Sequence, residues 1–412
     1  MRKDFVILSC IFAIAFGLRL YFVFFYPHYP VADDAQEYDT YAWNLASGKG
    51  YTAENGTAVI NRAPGYPFFL AGIYKIYGHS QLAAESAQII VSLFSLIILY
   101  LLAKDIFGLS AARIAVAIGA VYPAFISYNT FLYTETLFTF SLLCYVYFSW
   151  LAFKKKSIFY PVLAGLIIGY SVLVRGEALV LLPALFLFGL IFERKQLKKA
   201  ALIILISICT IAPWTFRNYK VFHKFIPVSS QGGSILWIAS YYDPARKGEW
   251  MLWHKDNQYF NDLIKGLDDV ERDELLGRQG VENIRNHPFY YLRFSAKRFF
   301  MFWLSGHSNT FYKLSDELIN YIRTKFYLKA SIKLSMLVFN LIIICFGFYG
   351  ALKAFNSGRE RMKEIVFLFM PVMLIMIIHV LLCAIPRYQV PIMPFIIISA
   401  SAAALSLRKR VI

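Results

Sequence analysis

An all-α polytopic membrane protein of about ten transmembrane helices is the fold class this sequence predicts, and three observations carry it. The first is composition: of 412 residues, 58% are hydrophobic and 16% charged, with 38 Phe, 28 Tyr and a mean hydropathy of +0.54. A soluble domain keeps about a quarter of its residues charged. The second is a series of apolar runs, most of them near the roughly 20 residues that cross a hydrocarbon core. The third is the placing of charge, with Lys and Arg gathered at alternate ends of those runs.

The runs lie at 5–26, 82–103, 111–128, 132–153, 158–174, 177–192, 199–216, 331–354, 363–384 and 389–407. Those at 158–174 and 177–192 are short and separated only by Arg175-Gly176-Glu177. With Arg2-Lys3 placed inside, the segments Lys104 to Arg113, Lys154 to Lys156, Arg194 to Lys199, Arg359 to Lys363 and Arg408 to Arg410 are also inside. Each is basic, as the positive-inside rule requires. The opposite loops carry Asp33, Asp34, Glu37, Asp39, Glu54, Glu135 and Glu177. Both termini are therefore expected in the cytoplasm and the chain in the cell (plasma) membrane. The opening Met1-Arg2-Lys3 and the long apolar run after it, with no small-residue cleavage site before Tyr26-Pro27, read as an uncleaved signal anchor.

Three divisions follow. Residues 1–216 form an N-terminal transmembrane module with a first extracytoplasmic loop at about 27–81. Residues 217–330 form an extracytoplasmic and juxtamembrane region, and 331–412 the C-terminal transmembrane helices. The second region is too long for a structureless connection. Its stretch Pro288 to Trp303 mixes aromatics with cations, which suits a helix lying in the membrane interface. Pro64 to Tyr77 likewise reads as a short amphipathic or re-entrant piece.

Composition also excludes. The net charge of +17 sits at helix ends and no nucleic-acid recognition module accompanies it, so nucleic acid is not a partner. The cysteines, Cys10, Cys144, Cys209, Cys345 and Cys383, all fall in apolar runs and read as small buried hydrophobes, with neither a disulfide framework nor a thiolate metal site. Neither a Walker A pattern nor a GxGxxG after a strand is present. Asn55-Gly56-Thr57 is a sequon on the outer side, read as a chance occurrence.

The candidate chemistry lies outside. Asp33-Asp34 follows the first run, and neighbouring carboxylates that share a buried site can keep one of them basic enough to take a proton from a hydroxyl. The bland alternative is a solvated acidic turn capping the helix that Ala35 begins. Arg62 precedes Pro64-Gly65-Tyr66-Pro67, a specific turn before an apolar helix. Arg175, Arg217 and Arg387 stand in the remaining outer turns. Any of the four could be a snorkelling or salt-bridged side chain. Yet the cytoplasmic cations are mostly lysine-rich clusters, whereas these are lone arginines, mostly beside Trp, Tyr or Pro, and a guanidinium fork suits phosphate. Four arginines and an aspartate pair on one face suggest a site for a phosphate-bearing lipid. Arg19, inside the first run, reads as a snorkelling or bracing residue and not as catalytic.

Asp34-xxx-Tyr38, Ala42-x-Asn44-Leu45, Gly48-x-Gly50-Tyr51, Arg62-x-Pro64-Gly65-Tyr66-Pro67, Trp214-xx-Arg217-Asn218-Tyr219 and Arg387-Tyr388-xx-Pro391 occur in that order. Together they resemble the GT-C-fold glycosyltransferases, and more narrowly the family of protein O-mannosyltransferases and lipid A aminoarabinose transferases. The likeness runs from the first span to the last and is weakest over 230–330. It implies a membrane enzyme that moves a monosaccharide from a polyprenyl-phosphate carrier to an extracytoplasmic glycan, lipid or protein hydroxyl, with inversion. Asp34 or Asp33 would be the base, Arg62, Arg217, Arg387 and Arg175 would face the donor phosphate, and Tyr38, Tyr66 and Tyr388 would line the substrate. No cofactor is required: two carboxylates could ligate a divalent metal, but the arginines make one unnecessary. The rival readings are a lipid or sugar transporter or flippase, a glycan polymerase or ligase, and a nonenzymatic assembly or receptor subunit.

Overall fold

The computed structural model describes residues 2–25, 31, 33–242, 258–304 and 323–411; residues 26–30 and 32, 243–257 and 305–322, all in the two long segments, fall outside it. The elements are α1 (Arg2–Phe25), α2 (Asp34–Ala46), α3 (Gly65–Tyr77), α4 (Gln81–Phe107), α5 (Leu109–Val121) and α6 (Pro123–Ser127). They continue as α7 (Glu135–Lys154), α8 (Phe159–Val174), α9 (Leu181–Phe192), α10 (Leu197–Phe222), α11 (Gly232–Ser240), α12 (Gln258–Leu263), α13 (Asp269–Asn286) and α14 (Pro288–Leu304). The last three are α15 (Tyr327–Phe355), α16 (Arg359–Leu381) and α17 (Met393–Val411), with tight 3-10 turns at Gly176–Val180 and Pro386–Ile392. Among the described residues there is no strand beyond one bridge, Thr52 to Ala58.

Seven of these helices are long and apolar enough to cross a membrane, and eight spans result if the bent pair at α5 and α6 counts as one. The expected count of about ten is not reached. The reason is length: the runs at 158–174 and 177–192 become separate short helices. At 16 residues, α8 rises only about 24 Å, less than a hydrocarbon core of about 30 Å. The α5–α6 pair bends by 56° at Pro123, whose ring nitrogen cannot continue the helical ladder. Arg19 braces this break and does not snorkel. It is fully buried in α1 and donates to the carbonyls of Ala15 and Ala120 and to the Ser92 hydroxyl.

The basic segments meet at one end of the bundle. Arg113 pairs with Asp4, Arg361 donates to the Ile106 carbonyl, Lys363 pairs with Glu193, and Lys199 donates to the carbonyls of Ala152 and Lys155. At the other end α2 and α3 pack together, and α11 packs on α13 around Trp237, Phe260 and Leu276. In α14, Phe289 and Leu292 are exposed, while Phe294, Phe302 and the guanidinium of Arg298 are buried; the last donates to the carbonyls of Ala239 and Val380. The cysteines depart from expectation. Only Cys144 is buried; Cys10, Cys209 and Cys345 are exposed on spanning helices, where lipid rather than protein supplies the apolar surroundings.

Candidate active site

The motif residues of the first loop build a scaffold. Asn44 in α2 donates to the carbonyls of Thr52 and Ala53, 3.0 Å each, and the turn between them runs through Gly48 and Gly50 at φ 77° and 81°. The Tyr51 hydroxyl donates to the Arg62 carbonyl at 2.9 Å, and Tyr41 donates to Asn61 at 3.0 Å. These bonds fix the backbone on which Arg62 is carried. Gly65 then brings α3 against α8. A Cβ at Gly65 would sit 2.7 Å from the Leu173 carbonyl carbon and the Val174 nitrogen, and the Tyr170 hydroxyl donates to the Gly65 carbonyl. Arg175 leaves the end of α8 directly beyond that contact.

Asp34 opens α2 and is gripped from two sides. Arg62 donates to its Oδ1 at 2.6 Å and Arg387 donates to its Oδ2. The pairs continue on both sides. Arg62 also donates to Glu37, Arg387 lies 3.5 Å from Glu135, and Arg175 pairs with Glu135 at 3.2 Å and with Glu177 at 3.1 Å. Glu177 in turn meets His379 at 3.2 Å. Acid and base alternate from Glu37 to His379 through eight side chains. All but Glu37 line one cavity of about 400 Å³. The Tyr388 ring lies between the guanidinium of Arg175, 4.6 Å away, and the His379 ring, stacked at 4.2 Å. Arg387 lies 4.6 Å over Tyr133.

Burial alone would raise the Asp34 carboxyl, but the Arg387 and Arg62 guanidiniums overcome it and hold it well below the usual carboxylate range. Burial opposes the charge on Arg62 as well, and the neighbouring Tyr38, Asp34 and Glu37 reverse that, so it stays firmly protonated. Tyr38, buried beside this pair, is pushed up. An isolated guanidinium or carboxylate here would be costly; the alternation of sign compensates each charge and leaves a preorganised electrostatic surface.

The structure therefore brings Asp34, Tyr38, Arg62, Arg175, Arg387 and Tyr388 to one cavity. It places the other candidates elsewhere. Asp33 precedes α2 at φ 52°, its side chain making no capping bond, while its carbonyl accepts from Gln36 and Glu37. Tyr66 is fully buried behind the wall, donating to Gln88 and meeting Tyr38 edge to face. Arg217 donates to the carbonyls of Val59 and Tyr51 and stacks 4.8 Å over Trp214. Its motif partners Trp214 and Asn218 hold the strip at 226–228, whose Pro227 and Val228 line the cavity.

Four further lining residues carry polar chemistry that sequence reasoning left unassigned: Tyr133, Glu135, Glu177 and His379. Glu135 and Glu177 were visible only as charges of the outer loops. A histidine within an apolar run was the available signal for His379, because ionisable groups there require a partner. One oxygen of buried Glu135 accepts no hydrogen bond among the described residues. No group of three or more His, Cys, Asp or Glu that could hold a metal ion occurs among the described residues. Each cavity carboxylate already faces a guanidinium.

Comparison with known proteins agrees with this architecture. Residues 61–216 match the family model described as dolichyl-phosphate-mannose-protein mannosyltransferase. Apo ArnT from Cupriavidus metallidurans superposes with a TM-score of 0.60 at 14% identity, over 98% of this chain and 61% of that one. ArnT bound to undecaprenyl phosphate gives 0.57 at 14% identity, over 97% and 59%. The apo Archaeoglobus fulgidus oligosaccharyltransferase gives 0.58 at 15% identity, over 99% and 51%. The chain thus spans between half and about three-fifths of the length of these structures. No curated protein matches it in sequence. The chain is a multi-pass membrane protein with the GT-C glycosyltransferase fold, similar over residues 61–216 to the dolichyl-phosphate-mannose-protein mannosyltransferases.

Proposed function

We propose that the chain is an inverting glycosyltransferase that moves a monosaccharide from a polyprenyl phosphate to an acceptor hydroxyl on the extracytoplasmic side of the plasma membrane. The observation that carries this reading is Asp34 held between Arg62 and Arg387 on the wall of the cavity. The donor is a phosphodiester anion, and its leaving group gains negative charge as the glycosidic C–O bond breaks. Fixed guanidiniums stabilise that charge most where water is scarce. Arg62, Arg387 and Arg175 are the cations for this task.

In the paired state Asp34 is a weak base. A donor phosphate that recruits Arg62 or Arg387 loosens that pairing and raises the basicity of the carboxylate when an acceptor is present. Asp34 then takes the hydroxyl proton as the acceptor oxygen attacks the anomeric carbon through an oxocarbenium-like state. The polyprenyl phosphate departs from the opposite face, so configuration inverts in one step. Tyr38 and Tyr388 supply aromatic surface beside the sugar, and the unsatisfied oxygen of Glu135 can accept from a substrate hydroxyl. The glycan, lipid or protein nature of the acceptor is left open by this chemistry. No cofactor is part of the proposal, since the guanidiniums occupy the carboxylates a metal would use.

Charge supports this side of the membrane. Basic segments cluster at the end opposite the cavity, and such segments stay in the cytoplasm. The neighbours named for undecaprenyl phosphate and for an acceptor peptide carrying an NVT sequon supply analogies for the two substrates. The test uses Asp34→Asn and Asp33→Asn with polyprenyl-phosphate sugars as donors. The reading expects Asp34→Asn to bind donor and transfer nothing, while Asp33→Asn keeps turnover; undiminished transfer by Asp34→Asn would overturn the assigned base.

A further inference from the structure

Buried side-chain hydrogen bonds link α15 to the α5–α6 break and to the 3-10 turn that carries Arg387. Asn340 lies near the middle of α15 and is fully buried, next to apolar Phe339 and Leu341 in the sequence. It accepts from the Tyr122 hydroxyl at 2.8 Å and donates to Gln389 at 3.3 Å. Tyr122 and Gln389 are themselves fully buried. Tyr122 stands at the α5–α6 break, and Gln389 sits two residues after Arg387 in the 3-10 turn Pro386–Ile392. The break is fastened on both sides. Arg19 donates to Ala120 at 3.1 Å and to Ser92 at 2.9 Å, and Ser92 donates to Phe125 at 3.1 Å.

A 3-10 turn with prolines at 386 and 391 has few backbone donors of its own to fix its orientation. A side-chain hydrogen bond in apolar surroundings is directional and has no water competing for it. Rotation of this turn about its axis would carry Arg387 away from both Asp34 and Glu135. The downstream end of the same break leads through Tyr133 to Glu135, so one fastened element places both the Tyr133 ring and the Glu135 carboxylate against the Arg387 guanidinium.

We infer that Asn340 is a positioning residue for Arg387, acting through Gln389, with the fastened break and Tyr122 as its anchor. The inference rests on the reading above only for its effect on sugar transfer. The test uses the full chain in lipid nanodiscs and the ¹⁵N side-chain resonance of Arg387, assigned by its loss in Arg387→Lys. Tyr122→Phe, Asn340→Leu and the apolar pair Asn340→Leu/Gln389→Met are compared with the parent. The expected result is a shifted Arg387 resonance in all three, an unshifted Arg217 resonance, and transfer lowered about tenfold. The apolar pair is expected to lie closer to the parent in thermal stability than Asn340→Leu does, without regaining the parent resonance. It also removes the Gln389 amide that Asn340→Leu deprives of its donor, and leaves only the loss of the Asn340 acceptor at the Tyr122 hydroxyl. An unchanged Arg387 resonance in Tyr122→Phe and in the apolar pair would overturn the inference. If Asn340→Leu does not fold, those two variants decide. If the parent transfers no sugar, the functional reading fails and the resonances still decide the positioning role.

Discussion

Gly65→Ala tests how the site is assembled without touching a charged group. Gly65 is at a helix start with no need for a left-handed backbone, so the substitution adds one methyl group and nothing else. That methyl would lie 2.7 Å from backbone atoms of Leu173 and Val174, where ordinary contact begins at 3.4 Å. The start of α3 and the end of α8 must separate by about 0.7 Å, and backbone cannot yield as a side chain tip can. The separation pulls Arg62 from Arg175 across the cavity and strains the 2.9 Å bond from Tyr170 to Gly65. Overpacking of this kind costs about 1–3 kcal/mol, and a misplacement near 1 Å can cost about 10²-fold in rate. The assay is thermal unfolding and sugar transfer on purified full-length protein, with Gly72→Ala as control. Gly72 lies in the same helix with nothing within 4 Å of its Cβ position, so its substitution is neutral or stabilising by about 0.5–1 kcal/mol. Parent-like stability and turnover in Gly65→Ala would refute the close-approach argument.

Three more outcomes follow from the same geometry. Arg387→Lys replaces a fork that serves Asp34 and Glu135 together with a point charge that serves one; turnover should fall by about 10²–10³-fold in a folded protein, measured as kcat. Arg217→Ala removes bonds to Val59 and Tyr51 carbonyls outside the cavity. Its thermal stability should fall by about 1–2 kcal/mol while the donor KM of the remaining folded enzyme stays near the parent value. Asp34 has a folded value below its ordinary 3.8, so its stabilisation is complete above that value and is lost as pH falls through the folded one. The gap in melting temperature between parent and Asp34→Asn should therefore hold from about pH 8 to about pH 5 and narrow below about pH 4.

What the sequence discloses differs from residue to residue for physical reasons. Membrane class, helical content and the clustering of basic segments at one end follow from composition and charge, which do not depend on tertiary contacts. Arg62, Arg175 and Arg387 were legible because lone arginines beside aromatic and proline residues differ in kind from the lysine clusters. Arg217 carries the same local signature, yet its fork grips backbone carbonyls; only the path of the 51–59 loop distinguishes the two uses. Glu135 was legible only as an outer-loop charge, and His379 was hidden within an apolar run, where a single polar letter barely alters the average. Asn340 was hidden for the same reason. About ten spans is not confirmed at α8 and α9, whose apolar runs are short in the sequence and form helices shorter than the seven long enough to cross.

The central claim is lipid-linked sugar transfer at the Asp34 cavity. Its most direct test is mass spectrometry of lipid-linked sugars and surface glycoconjugates in cells lacking this gene, complemented with the parent or with Asp34→Asn. One polyprenyl-phosphate monosaccharide should accumulate as one surface modification disappears, and the parent should restore both while Asp34→Asn restores neither. An unchanged pool of lipid-linked sugars in the deletion, or full restoration by Asp34→Asn, would contradict it.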